Sequence, residues 1–477
     1  MGDNSGEYKY LAKNIGLLTL SSFATKILSF ILVPLYTNIL TTTEYGINDL
    51  FTTTIGILLP IVTINIQEAV LRFSLDNNYN NKDVLAVGLK FVFCGSIVVI
   101  LGLMINSGLR LYGIFADYAV VFFLRFFSQA VSDLLCCYVR GIDRIAVLSI
   151  SSIICSIVVI SSNIIFLVVF KLGLTGYFLA NTLGPIIQSI YIIAKTNVIR
   201  DTYPMEKHSV LTKEMLSYSK PLILNSVGWW INNAFDKYVV IYFLGFAENG
   251  IYSVAGKIPS ILNIVQTIFA QAWTLSAVKD YDSEDSNGFF SNTYAIYNSS
   301  MVVGCSALIV FSKLLASVLY AKDFYIAWRY VPWLTIAIVF GSLSGFLGGF
   351  FTAAKDSKIF AQSTLMGAIC NIALNFAMTP VIGAMGAAIA TAISYYIVWL
   401  FRYYHSKKYV RMEIKIKRDY LTYILLVIQT IGLLMLEGTK VYCLEIGIFG
   451  MILLLYRKDL KIAIEKIVVL VREKRVL

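Results

Sequence analysis

The feature that most constrains this chain is a succession of apolar runs, each close to the ~20 residues a helix needs to cross a bilayer, separated by short polar breaks. Backbone groups in hydrocarbon have to be satisfied within their own segment, and the alternating pattern of a membrane barrel is absent, so the runs read as helices. The composition agrees: 58% of the 477 residues are hydrophobic and only 14% are charged, against about 25% in a soluble chain. Spans are predicted near 14–36, 46–71, 84–105, 117–139, 146–169, 173–194, 218–243, 250–277, 293–319, 331–352, 360–380, 383–401, 420–436 and 441–456. The expected fold class is an all-α polytopic membrane protein of about fourteen helices, the last two short enough that a re-entrant pair remains open.

Orientation follows from the basic residues. With the N-terminus in the cytoplasm, and Lys90, Lys220 and Lys313 near span ends counted with the loops they adjoin, cytoplasmic segments hold 29 of the 39 Lys and Arg, outer segments hold 6, and Lys26, Arg125, Lys237 and Lys257 fall inside spans. That asymmetry places both ends in the cytoplasm. One outer loop, with Lys313, Lys322 and Arg329, runs against it. The basic stretch Arg402–Arg418 and the tail Arg457–Arg475 are read first as ordinary topology-setting charge; the other reading sets them against anionic headgroups, with the tail flat in the interface. No cleavable signal peptide is read at the start.

Three sequence echoes point to an internal repeat. Gly173, Gly176 and Ala180 recur as Gly383, Gly386 and Ala390; the segment from Glu44 to Ile47 recurs as Glu248 to Ile251; and Asp143 after span four matches Asp356 after span ten. They imply a six-helix N-terminal lobe over 1–200, a cytoplasmic linker over 201–217, a six-helix C-terminal lobe over 218–401, and a region 402–477 with a basic loop, two more helices and a basic tail. Six spans return the chain to its starting side, so the repeat is parallel.

Charges within spans are costly and are functional hypotheses by default. Arg125, Gln129 and Asp133 stand four residues apart on span four, and span seven carries Asn225, Trp229, Asn232, Asn233 and Asp236 with Lys237 beside them. Lys26, Lys257, Gln271, Asn371 and Asn375 complete the polar set, with Glu68 near a cytoplasmic helix end. One reading is helix-packing ion pairs. The other is a single aqueous cavity between the halves, with Lys26, Arg125, Lys237 and Lys257 contacting an anionic substrate and Asp133, Asp236 and Glu68 as counter-ions or coupling sites. The seven cysteines show no metal-ligand or redox spacing, and there are two histidines, so no metal site or cofactor is expected. No nucleotide-binding loop is present, so the chain is not expected to be an enzyme, and nucleic acid is not an expected partner.

The segment after Lys26, LVPLYTNILTTTEYGI, and the stretch YSKPLILNSVGWWINNAFDKYVVIYFLGFAENGIYSVAGKI resemble bacterial O-antigen and capsule repeat-unit flippases of the multidrug/oligosaccharidyl-lipid/polysaccharide exporter superfamily. So does NIALNFAMTPVIGAMGAAIATAIS; Thr37 and Asn38 stand where the group often has an arginine. The resemblance implies a flippase, acting as a monomer in the bacterial inner membrane, that turns an undecaprenyl-pyrophosphate-linked oligosaccharide to the outer leaflet by alternating access. A Na+ or H+ coupling ion is open, and membrane lipids, a polysaccharide polymerase and assembly proteins are the other expected partners. The alternatives are a cation-coupled multidrug exporter or a lipid II flippase of the same superfamily, and a non-transporting scaffold.

Overall fold

The computed structural model describes residues 30–76, 78–196, 209–279, 282–354 and 356–473; Lys26 and most of the first expected span lie outside them. Among the described residues there is no strand. Among the described residues, twelve helices are long and apolar enough to span a membrane, and each coincides with one of the predicted runs. The eighth run appears as a shorter apolar helix.

The chain divides into two compact units, Met1–Trp230 and Ile231–Leu477. The first contains α1 (Thr42–Val62), α2 (Ile66–Ser74), α3 (Asn81–Leu109), α4 (Ala119–Gly141), α5 (Ile145–Asn163, continued by the π-helix Ile164–Val169) and α6 (Gly173–Thr196). Helix α7 (Ser209–Ala255) contains the division, and a non-helical Gly245 interrupts it at φ 87°, ψ 179°. The second unit continues with α8 (Ser260–Lys279), α9 (Phe289–Val310), α10 (Val331–Ala353), α11 (Ser357–Ile382), α12 (Ala384–Ser406), α13 (Ile416–Met435) and α14 (Thr439–Glu473).

The glycines of the repeat have a physical job. Gly173 and Gly383 open α6 and cap α12 with positive φ, 54° and 67°, a region L-residues avoid. One turn on, Gly386 lies so close to α11 that a Cβ would stand 2.5 Å from the Met378 carbonyl, while a Cβ on Gly176 would meet Phe166 and Leu172 at about 3 Å. Ala180 and Ala390 are fully buried. Both pairs therefore form tight antiparallel helix hairpins, α5–α6 in one unit and α11–α12 in the other.

Predicted span two is two helices. Pro60 lacks the N–H that α1 would need, and Ile64 and Asn65 both take left-handed conformations, φ 56° and 51°, before α2 begins. The break is closed by Asn65 N–H donating to the Pro60 carbonyl at 2.8 Å and by the Thr63 hydroxyl donating to Leu59 O at 2.7 Å. Gly95 of α3 covers it: a Cβ there would lie 2.7 Å from Val62 O.

The last two helices are full elements of the second unit, each long and apolar enough to span. Tyr423 of α13 donates to Asn298 of α9 at 3.0 Å, and Asn298 donates to the Tyr456 hydroxyl of α14 at 3.1 Å. In the basic stretch, Arg418 pairs with Asp459 and with Asp419 at 3.1 Å, Arg411 pairs with Glu284 at 2.7 Å, and Arg402 is buried, so each of these three has partners or packing within the protein. The tail continues α14 without a break, because nothing between Thr439 and Glu473 stops the helix. Outside the spans, Asp356 accepts from the Tyr409 hydroxyl at 2.5 Å and from Ile359 N–H at 3.2 Å, which holds its carboxyl below the usual range.

Replacing Gly386 by valine should lower stability by about 1–3 kcal/mol through overpacking. Glycine 447, around which a Cβ would meet nothing within 4 Å, is the control: Gly447→Ala should leave the thermal midpoint of the purified protein unchanged or raised while Gly386→Val lowers it.

Candidate functional site

In the first unit, helix α4 presents Arg125, Gln129 and Asp133 along one face, as their spacing of four predicts. All three line a cavity of about 480 Å³ that α1, the α1–α2 break and the start of α7 complete with Thr52, Gly56, Pro60, Asn65, Gln67 and Ser226. Arg125 is only 9% exposed. Its guanidinium donates to Asn48 Oδ1 at 2.6 Å and to Thr52 Oγ1 at 2.7 Å, both neutral oxygens of α1. Asp133 accepts instead from Gln129 Nε2 at 2.8 Å, so the two charges share a cavity without an ion pair between them. Asn65 donates to Ser226 Oγ at 3.2 Å, which joins the break to α7.

The lining carries one cation and one acid, so the excess of positive charge expected of the cavity is not found in this unit's described part. Glu68 is exposed on α2 and is not among the lining residues. Within α7, Asn225 and Trp229 are exposed, whereas Ser226 lines the cavity and Trp230 donates its indole N–H to Thr53 O at 2.9 Å. Trp230 packs on Gly56, where a Cβ would lie 3.7 Å from its ring, and this sets the face that α7 turns toward α1.

The second unit gathers a different set. Asp236 is buried and accepts from the Tyr252 hydroxyl at 2.6 Å and from Thr391 Oγ1 at 3.4 Å. Thr391 in turn receives Asn371 Nδ2 at 3.3 Å, and Asn375 Nδ2 donates to Asn371 O and Oδ1 at 2.9 and 3.1 Å. Asn371 and Asn375 share a face as expected, but they belong to this packed polar cluster and not to the described cavity lining. Asn233 accepts from the Tyr395 hydroxyl at 2.9 Å, and Asn232 donates to Thr364 O at 3.4 Å. Lys237 is half-buried beside Asp236, whose Oδ1 takes its backbone N–H at 2.9 Å. Lys257 sits in a non-helical turn, 256–259, between α7 and α8, where Pro259 withholds a backbone donor. Gln271 lies in α8, its side chain outside the described part.

A family model described as "Polysaccharide biosynthesis protein" matches residues 11–275. The chain belongs to this polysaccharide biosynthesis protein family. It is 21% identical over 206 residues to the Haloferax volcanii protein named "Probable low-salt glycan biosynthesis flippase Agl15", covering 42% of this chain and 43% of that relative. The chain thus spans less than half the length of the curated relative it matches. Among solved structures it resembles the lipid II flippase MurJ in an inward closed conformation, with TM-score 0.69 and 14% identity over 95% of this chain and 99% of that one. It also resembles an inward-facing multidrug resistance MATE family transporter of the MOP superfamily, with TM-score 0.65 and 14% identity over 80% and 94%. This member of the polysaccharide biosynthesis protein family therefore has the fold of that superfamily.

One buried cation escaped the sequence reading. Arg402 of α12, 4% exposed, donates to Ser363 Oγ, Ser344 O and Thr364 Oγ1 at 2.8–3.0 Å and lies over the Phe360 ring at 4.4 Å. Its position at the head of a basic stretch hid it.

The described cavity is open to a direct check. In a cysteine-free background, Thr52→Cys and Gln129→Cys should react with a small charged thiol reagent, and Phe126→Cys, on the buried side of α4, should not. Equal labelling of all three would contradict the lining.

Proposed function

We propose that this protein is a flippase that moves an undecaprenyl-pyrophosphate-linked oligosaccharide repeat unit from the cytoplasmic to the outer leaflet by alternating access, for export of a surface polysaccharide. The observation that carries the reading is Arg125: a buried guanidinium facing a cavity of about 480 Å³, held by two neutral oxygens and in no ion pair among the described residues. Such a group keeps its charge available to an anion that gives up its hydration on entry. Family membership and the likeness to a Haloferax volcanii protein named as a probable glycan biosynthesis flippase support a glycan-linked substrate.

The cavity suits a headgroup that is charged at one place and polar at another. Arg125 and Asp133 are eight residues apart on α4, about 12 Å along the axis at 1.5 Å per residue. A pyrophosphate at Arg125 would leave sugar hydroxyls to meet Gln129, Asp133, Asn65 and Gln67, groups that accept and donate without fixing one sugar. Lys26, Lys237 and Lys257 are further candidate headgroup contacts. In the second unit the Asp236, Tyr252, Thr391, Asn371 and Asn375 cluster is the proposed place for a coupling Na+ or H+, because it gathers oxygen donors around a buried carboxylate. Both chain ends are proposed to lie in the cytoplasm of a bacterial inner-membrane protein, on the charge asymmetry alone.

In vesicles holding purified protein and lipid-linked oligosaccharide, Arg125→Ala should slow leaflet exchange about tenfold or more, the factor that 1.4 kcal/mol of lost transition-state interaction produces. Arg125→Lys should keep part of the rate. Unchanged exchange in Arg125→Ala would sink the assignment. In cells, deletion should remove surface polysaccharide while growth continues; arrest of growth would instead favour lipid II as substrate, and drug efflux without a polysaccharide defect would favour a multidrug exporter. Asp236→Asn should abolish the response of exchange to an imposed Na+ or H+ gradient while leaving headgroup binding in place.

A further inference from the structure

The C-terminal helix pair holds an acid that the proposed transport path does not use. Glu445 lies in the apolar span Thr439–Ile462, is 1% exposed, and neither carboxyl oxygen has a hydrogen-bond partner. Helices α13 and α14 touch at this level: a Cβ on Gly432 would stand 2.2 Å from Leu444. The nearby amide of Gln429 is committed elsewhere. Its Oε1 accepts from Ser306 Oγ of α9 at 2.8 Å and its Nε2 donates to Ser306 O at 3.4 Å.

Among the described residues around Glu445, the one charge of opposite sign acting on it is Lys313. From α13 the acting side chain is the neutral Gln429, and from the helix Ser312–Leu319 it is Lys313, whose ammonium lies over the Trp328 ring at 4.5 Å. Helix α9 offers the buried thiol of Cys305 in the same core cluster. On the chain around Glu445 itself, Glu437, Lys440, Tyr442 and Cys443 are all exposed. A carboxylate left ionised here would have lost its water with only the Gln429 amide and Lys313 acting on it, a state costlier than the neutral acid. A metal ion is no better served: hard divalent cations take about six oxygens or more, and the site offers the two of Glu445 plus an amide oxygen already engaged by Ser306.

We propose that Glu445 is a proton-binding site: its carboxyl carries a proton in this packing and gives it to water when α13 and α14 loosen from α9. The carboxylate so formed gains hydration and the attraction of Lys313. The site thus exchanges one proton per opening of the helix pair, at a place separate from Arg125 and from the Asp236 cluster.

Infrared difference spectroscopy of the full-length protein in nanodiscs reads this without any transport assay, so it stands or falls apart from the flippase reading. At neutral pH the protein should show a protonated-carboxyl C=O band that shifts in D2O and disappears in Glu445→Gln, while Glu284→Gln, at the exposed ion pair with Arg411, leaves it intact. A band that survives Glu445→Gln, or no such band, would overturn the proposal. So would a band that sodium chloride removes at fixed pH and ionic strength, since that marks a metal-cation site. Should Glu445→Gln fail to fold, Lys313→Met in the otherwise native chain gives the second reading: the pH at which the band vanishes should rise, and an unmoved pH would contradict the assignment.

Discussion

Everything in this protein depends on one rule of the bilayer interior: each backbone N–H and C=O has to find its partner inside the protein. Helices meet it automatically, so the informative places are those where a helix stops. At 63–65 the donors of Ile64, Asn65 and Ile66 reach back to Ile61, Pro60 and Thr63. At 256–259 those of Lys257, Ser260 and Ile261 reach Val254, Gly256 and Ile258. Both breaks are therefore closed internally, and the first also supplies Asn65 to a cavity wall. A break that is satisfied yet lines a cavity gives the chain polar groups at membrane depth without orphaned backbone.

The buried cations divide by how they are held. Arg418 is neutralised by Asp419 and Asp459 and belongs to a lock between α13 and α14. Arg125 and Arg402 are held by amide, hydroxyl and carbonyl oxygens alone. A paired charge in low dielectric is largely spent on its partner, whereas one steadied by dipoles keeps most of its field. Only Arg125 of the latter two also lines the described cavity.

Much of the fold was legible in the sequence because hydrophobic length and glycine placement are local signals. Gly173 and Gly383, noted in the sequence only as a repeat, open the second helices of two hairpins, and the spacing of Arg125, Gln129 and Asp133 placed all three on one face of α4. The α1–α2 break was not legible, since Ile64 and Asn65 enter left-handed geometry with no glycine to mark them. Which of the two adjacent tryptophans packs on α1 was not legible either, since they look alike in sequence and only the fit of Trp230 to Gly56 chooses between them. Arg402 was hidden by its basic neighbours. Glu445 could have been found as the acid inside an otherwise apolar run, a signal that short predicted spans tend to discount.

The polar ties between α9 and the final helix pair bear on how the chain is made. Asn298 is bonded to Tyr423 and Tyr456, and Ser306 to Gln429, across 123 to 158 residues of sequence. While the ribosome is still synthesising those later helices, α9 has already entered the lipid with Asn298 and Ser306 lacking their eventual partners. The core of the second unit can close only after the last span emerges, so until then α9 needs a temporary companion, whether a neighbouring helix, water or the insertion machinery.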